Sequence, residues 1–176
     1  MVSKMSVIHP SFKHGKNIRI GHFCVIEEDV KVGDNVVIGN YVLLKPFTFI
    51  GDNTFIDSYV LTSGTCRIGN NCKIRYRSVI ARNVEIGNDV FFSAGVKTVN
   101  LDPMQAEAKK VMWIGDGCFI GDNAIIMDGI RIAPFTIIGA ASLVTRDCNT
   151  NGVYYGVPAK FMRPVKEGEL YALQNS

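Results

Sequence analysis

Residues 26–60 read IEEDVKVGDNVVIGNYVLLKPFTFIGDNTFIDSYV, and a large apolar residue returns in them at every sixth position: Ile26, Val32, Ile38, Leu44, Ile50 and Ile56. An amphipathic helix would space its apolar residues by three and four, and an ordinary half-buried strand would alternate every two. A period of six fits neither. It fits a short strand followed by a corner, three of which close a triangular coil of about 18 residues, with coils stacked roughly 4.8 Å apart through parallel backbone hydrogen bonds.

Outward from this stretch the same column holds at 13 of 15 positions from Ile8 to Phe92, broken only by His14 and Thr62. It resumes in a new phase at Ile114, Ile120, Ile126, Ile132, Ile138 and Val144, so 21 hexads predict seven coils. Ten of the 17 glycines, among them Gly33, Gly39 and Gly51, occupy the position after that column, which suggests a corner whose φ suits a residue lacking Cβ. Four positions after the apolar residue comes a small or β-branched one, and all five cysteines, Cys24, Cys66, Cys72, Cys118 and Cys148, fall in that inward column. They are expected in the core as small hydrophobes, with no disulfide framework. The prediction is an all-β parallel β-helix of about seven coils in one domain, 1–176, with a loop at 98–113. A tail at 150–176 has a segment, KEGELYALQ, that forms a short helix.

Composition narrows the function. With 47% hydrophobic residues in a chain of 176, one sizeable core can form. A formal net charge of +3 with no dense basic run excludes nucleic acid as the expected partner but leaves room for a small phosphorylated ligand. No apolar run reaches signal-peptide length or the roughly 20 residues that span a bilayer, so a cytoplasmic protein without membrane insertion is expected.

The interruption from Thr98 to Trp113, TVNLDPMQAEAKKVMW, is where function is sought, because a long loop inside a tight solenoid is seldom idle. It opens on a polar turn, Asn100 to Pro103, and its apolar residues, such as Leu101, Met104 and Trp113, call for cover by a neighbouring subunit. Stacking at 18 residues turns Arg75, Tyr76 and Arg77 outward about one coil from the loop's exit. Two guanidiniums beside an aromatic ring suit a phosphorylated or nucleotide-bearing ligand, although a solvent face or subunit contact uses the same residues. The three histidines, His9, His14 and His22, cluster at the start of the chain, which fits a solvated or capping role and not a metal site.

From about Ile8 to Arg163 these columns closely resemble the left-handed parallel β-helix of the hexapeptide-repeat acyltransferases. The left hand comes from the resemblance, since the general preference for right-handed crossovers points the other way. The resemblance implies a homotrimer with active sites between subunits. GVPAKFMR is similar to the terminal GNPAK-type signature of such enzymes, with Val157 where Asn is common. Together with IIGAASLVTRD it implies acetyl-CoA as co-substrate: the backbone at Ala140 and Ala141 would hold the pantetheine arm, and Arg146, Lys160 and Arg163 the phosphates.

Many members of that family carry a His in or beside the loop as general base, and this chain has none there. A sugar hydroxyl needs a base to become a nucleophile, whereas a neutral amine already presents a lone pair, so an amine acceptor is favoured. VNLDP resembles the loop of nucleotide-linked aminosugar N-acetyltransferases, where an Asn-Asp pair precedes a Pro. Asn100 matches the Asn, Leu101 replaces the Asp, and Asp102 lies one residue on. The expectation is an N-acetyltransferase for surface glycan biosynthesis, with Asn100 or Asp102 orienting the amine, Asp102 accepting its proton and no metal. Backbone amides near Ser93 to Gly95 would serve as oxyanion donors. Asp102 as a plain turn residue, O-acetylation with Asp102 or Glu107 as base, and a non-catalytic scaffold stay open.

Overall fold

Short strands, most of two residues, wind in rotation through three sheets that are parallel except for the last pair of one. The computed structural model describes residues 2–100 and 111–174. One face has eight strands, from Val7–Ile8 to Leu143–Val144, and a second has seven, from Lys13–His14 to Arg131–Ile132. The third has nine, from Arg19–Ile20 to Ile137–Ile138 and on to Val153–Gly156 and Ala159–Arg163. Before the interruption each strand pairs with the one 18 residues on, as Val25 with Leu43 and Ile38 with Ile56. About eight turns result, one more than the hexads predict. Thr98, expected to open the interruption, is itself a buried inward residue paired with Ile126, and Val153–Gly156 adds a strand beyond the last regular hexad.

The apolar column points inward, and Ile50, Ile56, Ile68, Ile74, Ile80 and Phe92 are fully buried. Burying each such side chain contributes about 1.5–3 kcal/mol, which is what holds a stack of two-residue strands together. In the small inward column, Cys, Ser or Thr does more than fill space. Its S–H or O–H donates to the carbonyl fifteen residues on: Cys24 to Gly39 at 3.0 Å, Thr54 to Gly69 at 2.9 Å, Cys72 to Gly87 at 3.1 Å and Cys118 to Ala133 at 3.2 Å.

The corners correct one expectation. Left-handed φ falls on the third residue after the inward apolar one, as at Asn35 (56°), Tyr41 (56°) and Asn53 (54°), and not on the glycine column. Asn and Asp tolerate that conformation better than other side chains. Gly33 is required for close approach: a Cβ there would run into Oδ1 and the backbone nitrogen of Asp52 one coil above. The Asp52 Oδ1 accepts the Asp34 amide at 2.7 Å, and Asp34, Asn70 and Asn88 repeat the bond for Lys16, Asp52 and Asn70. Beside them, Asn17, Asn35, Asn53, Asn71 and Asp89 pass a side-chain bond from coil to coil at 3.0–3.3 Å.

At the C-terminal end, Val153–Gly156 and Ala159–Arg163 form an antiparallel pair, and the expected helix spans Glu169–Gln174. The helix folds back over the nine-strand face. Arg163 grips Glu169 at 2.6 and 2.9 Å, Gln174 Nε2 donates to the Asp89 carbonyl at 3.1 Å, and Lys73 Nζ donates to the Gln174 carbonyl at 3.0 Å. Hydrogen bonds from Arg163 and from the Lys166 amide hold the Glu169 carboxyl down at about 2. Among the described residues no helix is long and apolar enough to cross a membrane.

Candidate active site

Across the interruption the register steps by 28 residues instead of 18: Val84 pairs with Met112, Phe91 with Phe119 and Lys97 with Ile125. The net insertion is therefore ten residues, leaving after Thr98 at the corner between the eight- and seven-strand faces and returning at Met112. Its boundaries are tighter than the expected 98–113. Asp102 and Glu107 lie outside the described residues.

The root of the insertion is built on an inward threonine. At most coils of this corner an amide bonds the carbonyl of the inward residue one coil on, as Ser63 N–H does to Ile80 at 2.8 Å, although the Lys45 amide takes the Thr62 hydroxyl at 3.0 Å. The Ala81 amide likewise takes the Thr98 hydroxyl, at 2.7 Å. Asn100 Nδ2 then donates to the Arg82 carbonyl at 3.1 Å, while its Oδ1 is buried with no hydrogen-bond partner among the described residues. A cavity of about 400 Å³ opens beside them, lined by Ser63, Val79, Arg82, Lys97, Val99 and Asn100. An orphaned buried acceptor is costly, about 1–3 kcal/mol, and next to a cavity it is a place for an N–H donor.

Of the residues expected to act, Asn100 stands at this cavity and Arg75, Tyr76 and Arg77 do not. These three occupy the corner between the nine- and eight-strand faces, separated from Arg82 by one strand of the coil, Val79–Ile80. Arg75 Nε lies 3.3 Å from Asp57, and the Arg77 guanidinium sits 5.9 Å from the Tyr76 ring centre. The residues expected to hold CoA all belong to the last coil and its hairpin but are spread around it. Ala140 and Ala141 lie at the nine–eight corner, with the Ala141 amide bonded to the Asp122 carbonyl at 2.7 Å. Arg146 lines an open cleft of about 640 Å³ with Asp128 and Asp147 at the eight–seven corner. Lys160 and Arg163 are on the closing hairpin, where Arg163 is committed to Glu169.

The amides of Ser93, Ala94 and Gly95 are not the oxyanion donors expected of them. They already donate to the Ile120 carbonyl (2.8 Å), Asp122 Oδ1 (3.1 Å) and the Tyr76 carbonyl (2.9 Å). The five cysteines are buried as expected, and burial pushes the Cys66 thiol up to about 11 and those of Cys72, Cys118 and Cys148 to about 12. None of these four is thiolate-ready at neutral pH. Among the described residues the histidine rings bond within the first coils: His22 to Ser3, His9 to Ser11 and His14 to the Gly15 carbonyl.

Thr98, Arg82, Lys97 and Ser63 join the site without having been singled out from the sequence. The signal was present in the columns, since Ser63, Ala81 and Val99 are 18 apart, as are Arg82 and Asn100.

Comparison with known proteins agrees with this architecture. Residues 2–101 match the family model described as the GMPPB C-terminal domain, and residues 112–146 match the bacterial transferase hexapeptide (six repeats). The galactoside O-acetyltransferase of Lactococcus lactis is 28% identical over 95 residues, covering 49% of this chain and 46% of the relative. The 2,3,4,5-tetrahydropyridine-2,6-dicarboxylate N-acetyltransferase of Staphylococcus aureus is 28% identical over 86 residues, 49% of this chain and 33% of the relative. The matched stretch thus spans less than half of each of these acetyltransferases. In fold, the UDP-N-acetylglucosamine acyltransferase from Campylobacter jejuni aligns with a TM-score of 0.73 at 18% identity, over 99% of this chain and 82% of that one.

Proposed function

The chain belongs to the family of the GMPPB C-terminal domain, among the hexapeptide-repeat β-helix transferases, and on that premise we propose that it is an acetyl-CoA-dependent N-acetyltransferase. The acceptor is the amino group of a nucleotide-linked aminosugar, used in the cytoplasm to build a surface glycan. The observation that carries the proposal is the Asn100 side chain, whose buried Oδ1 has no donor among the described residues at the edge of the cavity where the insertion leaves the solenoid. An amine supplies that donor, and no histidine, the base a hydroxyl would need, is among the described residues that line the cavity.

In the reaction the amine lone pair attacks the thioester carbonyl carbon and the carbonyl π pair moves to oxygen. When the carbonyl re-forms, the C–S bond breaks and the sulfur leaves with the electron pair. Asn100 Oδ1 orients the amine by accepting one N–H. Asp102, two residues on, takes the proton released from nitrogen, directly or through water. Ala140 and Ala141 offer backbone to the pantetheine arm, and Arg146 and Lys160 attract the coenzyme's phosphates. Arg163 joins them only by giving up Glu169.

The working unit is a homotrimer. Seven of the eight strands of the eight-strand face turn an apolar side chain outward, Val7, Val25, Leu43, Leu61, Val79, Ile125 and Leu143, and only Lys97 breaks the stripe. A second copy on this face buries the stripe and closes the cavity that opens on it.

A second reading, O-acetylation of a sugar, is favoured by the galactoside O-acetyltransferase among the relatives. Release of free thiol from acetyl-CoA, followed with a nucleotide-linked aminosugar and with a galactoside, separates the two. Turnover with the amine alone is expected. Turnover with hydroxyl acceptors alone would overturn the amine assignment, and a chain that binds no acetyl-CoA by calorimetry would be a scaffold.

A further inference from the structure

The nine-strand face carries a second recess, on a different face from the loop cavity. It is a groove of about 460 Å³ running between the Arg75–Tyr76 corner and the C-terminal helix, whose Leu173 forms one wall. Its floor is apolar, the stacked rings of Phe91 and Phe119 with centres 5.3 Å apart. Three polar groups converge on it. Among the described residues Arg75 pairs with Asp57 through Nε, leaving two terminal nitrogens for a ligand. Asp122 gives Oδ1 to the Ala94 amide and keeps Oδ2. Ser93 lines the groove, and its hydroxyl has no hydrogen-bond partner among the described residues. The hydroxyl is therefore available to a ligand that enters the groove.

We infer that this groove binds a phosphorylated, hydroxyl-rich ring, the chemistry shared by a sugar phosphate and the ribose phosphate of a nucleotide. The phosphoryl oxygens take the terminal nitrogens of Arg75, a geometry for which guanidinium is better suited than ammonium. Ring hydroxyls donate to Asp122 and exchange a bond with Ser93, and the ring's apolar surface lies on Phe119 and Tyr76. The C-terminal helix, tied down by Arg163–Glu169 and Gln174, is then a wall of a binding site and not merely a cap. The inference does not rest on the acyl-transfer proposal, which stands on the loop cavity.

Calorimetric titration of the full chain with glucose 1-phosphate, uridine monophosphate and inorganic phosphate tests it. One of the two organic phosphates is expected to bind at least about tenfold more tightly than inorganic phosphate, and which one does so identifies the source. Arg75→Gln should weaken that ligand by about tenfold and Ser93→Ala by a few-fold, with melting temperatures unchanged. Three outcomes overturn the inference: no organic phosphate bound at millimolar concentration, inorganic phosphate bound equally well, or affinity unmoved in both variants. Should Arg75→Gln fail to fold, Ser93→Ala and Asp122→Asn carry the same comparison. Thiol release from acetyl-CoA, measured on the same variants, reports on the loop site separately.

Discussion

At the corner between the seven- and nine-strand faces the polar side chains are spent on the next coil. Asp52 takes the Asp34 amide at 2.7 Å, and Asn53 accepts from Asn35 at 3.0 Å and donates to Asn71 at 3.3 Å. At the corner between the eight- and seven-strand faces the ladder is missing. Ser63, Ala81 and Val99 stand where the other corner has Gly33, Gly51 and Gly69, and the Thr98 hydroxyl replaces a backbone carbonyl as acceptor for Ala81. The two corners are made from the same hexad. A corner that closes on itself commits its side chains to the next coil, whereas one without the ladder can open, release an insertion and leave Asn100 Oδ1 with no partner among the described residues.

The sharpest way to break this contrast is to make the second corner like the first. Removing residues 101–110 joins Asn100 to Val111 and brings Thr98 and Ile114 to a separation of six, the hexad spacing. The shortened chain is expected to fold with a melting temperature within a few degrees of the parent and to lose acetyl transfer by about 1,000-fold or more. Retained thiol release would separate the insertion from the chemistry. The converse change attacks the closed corner. Gly33→Ala drives a Cβ into Asp52 one coil above, so about 2–4 kcal/mol of stability should be lost in denaturant unfolding. Ser63→Ala, at the equivalent place on the open corner, should cost less than about 0.5 kcal/mol.

How much of this was legible in the sequence follows from what a sequence records. Inward packing repeats along one chain, so Ile50, Ile56, Ile68 and Ile74 announced the solenoid, and the small column announced the buried cysteines. The glycines were visible but their reason was not. A missing Cβ at Gly33 says that something forbids it, and only the coil above shows that the obstacle is Asp52 and not the backbone angle. Left-handed φ three residues after the inward apolar position is suggested by Asn35, Asn53 and Asn71, but Tyr41, Phe47 and Arg77 share it and hide the pattern. The candidate site was half legible. Asn100 carried a motif; the Arg82 carbonyl that holds it is backbone and leaves no letter. Counting coils along the axis brought Arg75 near the loop, yet said nothing of faces around the axis, and those put it at another corner.

Asn100 itself tests the open corner more gently. Asn100→Ala removes the bond to the Arg82 carbonyl and the orphaned acceptor together. Acetyl transfer is expected to fall by about 10–100-fold, through kcat more than through KM, because an orienting contact matters most as the transition state forms. Asn100→Asp keeps the acceptor but loses the donor to Arg82, and it should recover part of the rate with an amine substrate. Equal losses in the two variants would mean that Asn100 serves only to pin the chain.

The smallest expected effect divides the closed corner into its backbone and side-chain parts. Asn53 has φ of 54° and two ladder bonds. Asn53→Ala loses both bonds and keeps a Cβ in the left-handed region, so a loss of about 1–2 kcal/mol is expected. Asn53→Gly loses the same bonds but escapes the Cβ penalty, which is of similar size, offset in part by the greater freedom of glycine in the unfolded chain. It should lie within about 1 kcal/mol of the parent. The gap between the two variants measures the backbone strain the ladder holds in place. If alanine and glycine are equally destabilising, the side-chain ladder alone maintains the corner, and Phe47 and Tyr41 in the same conformation sit there at no cost in strain.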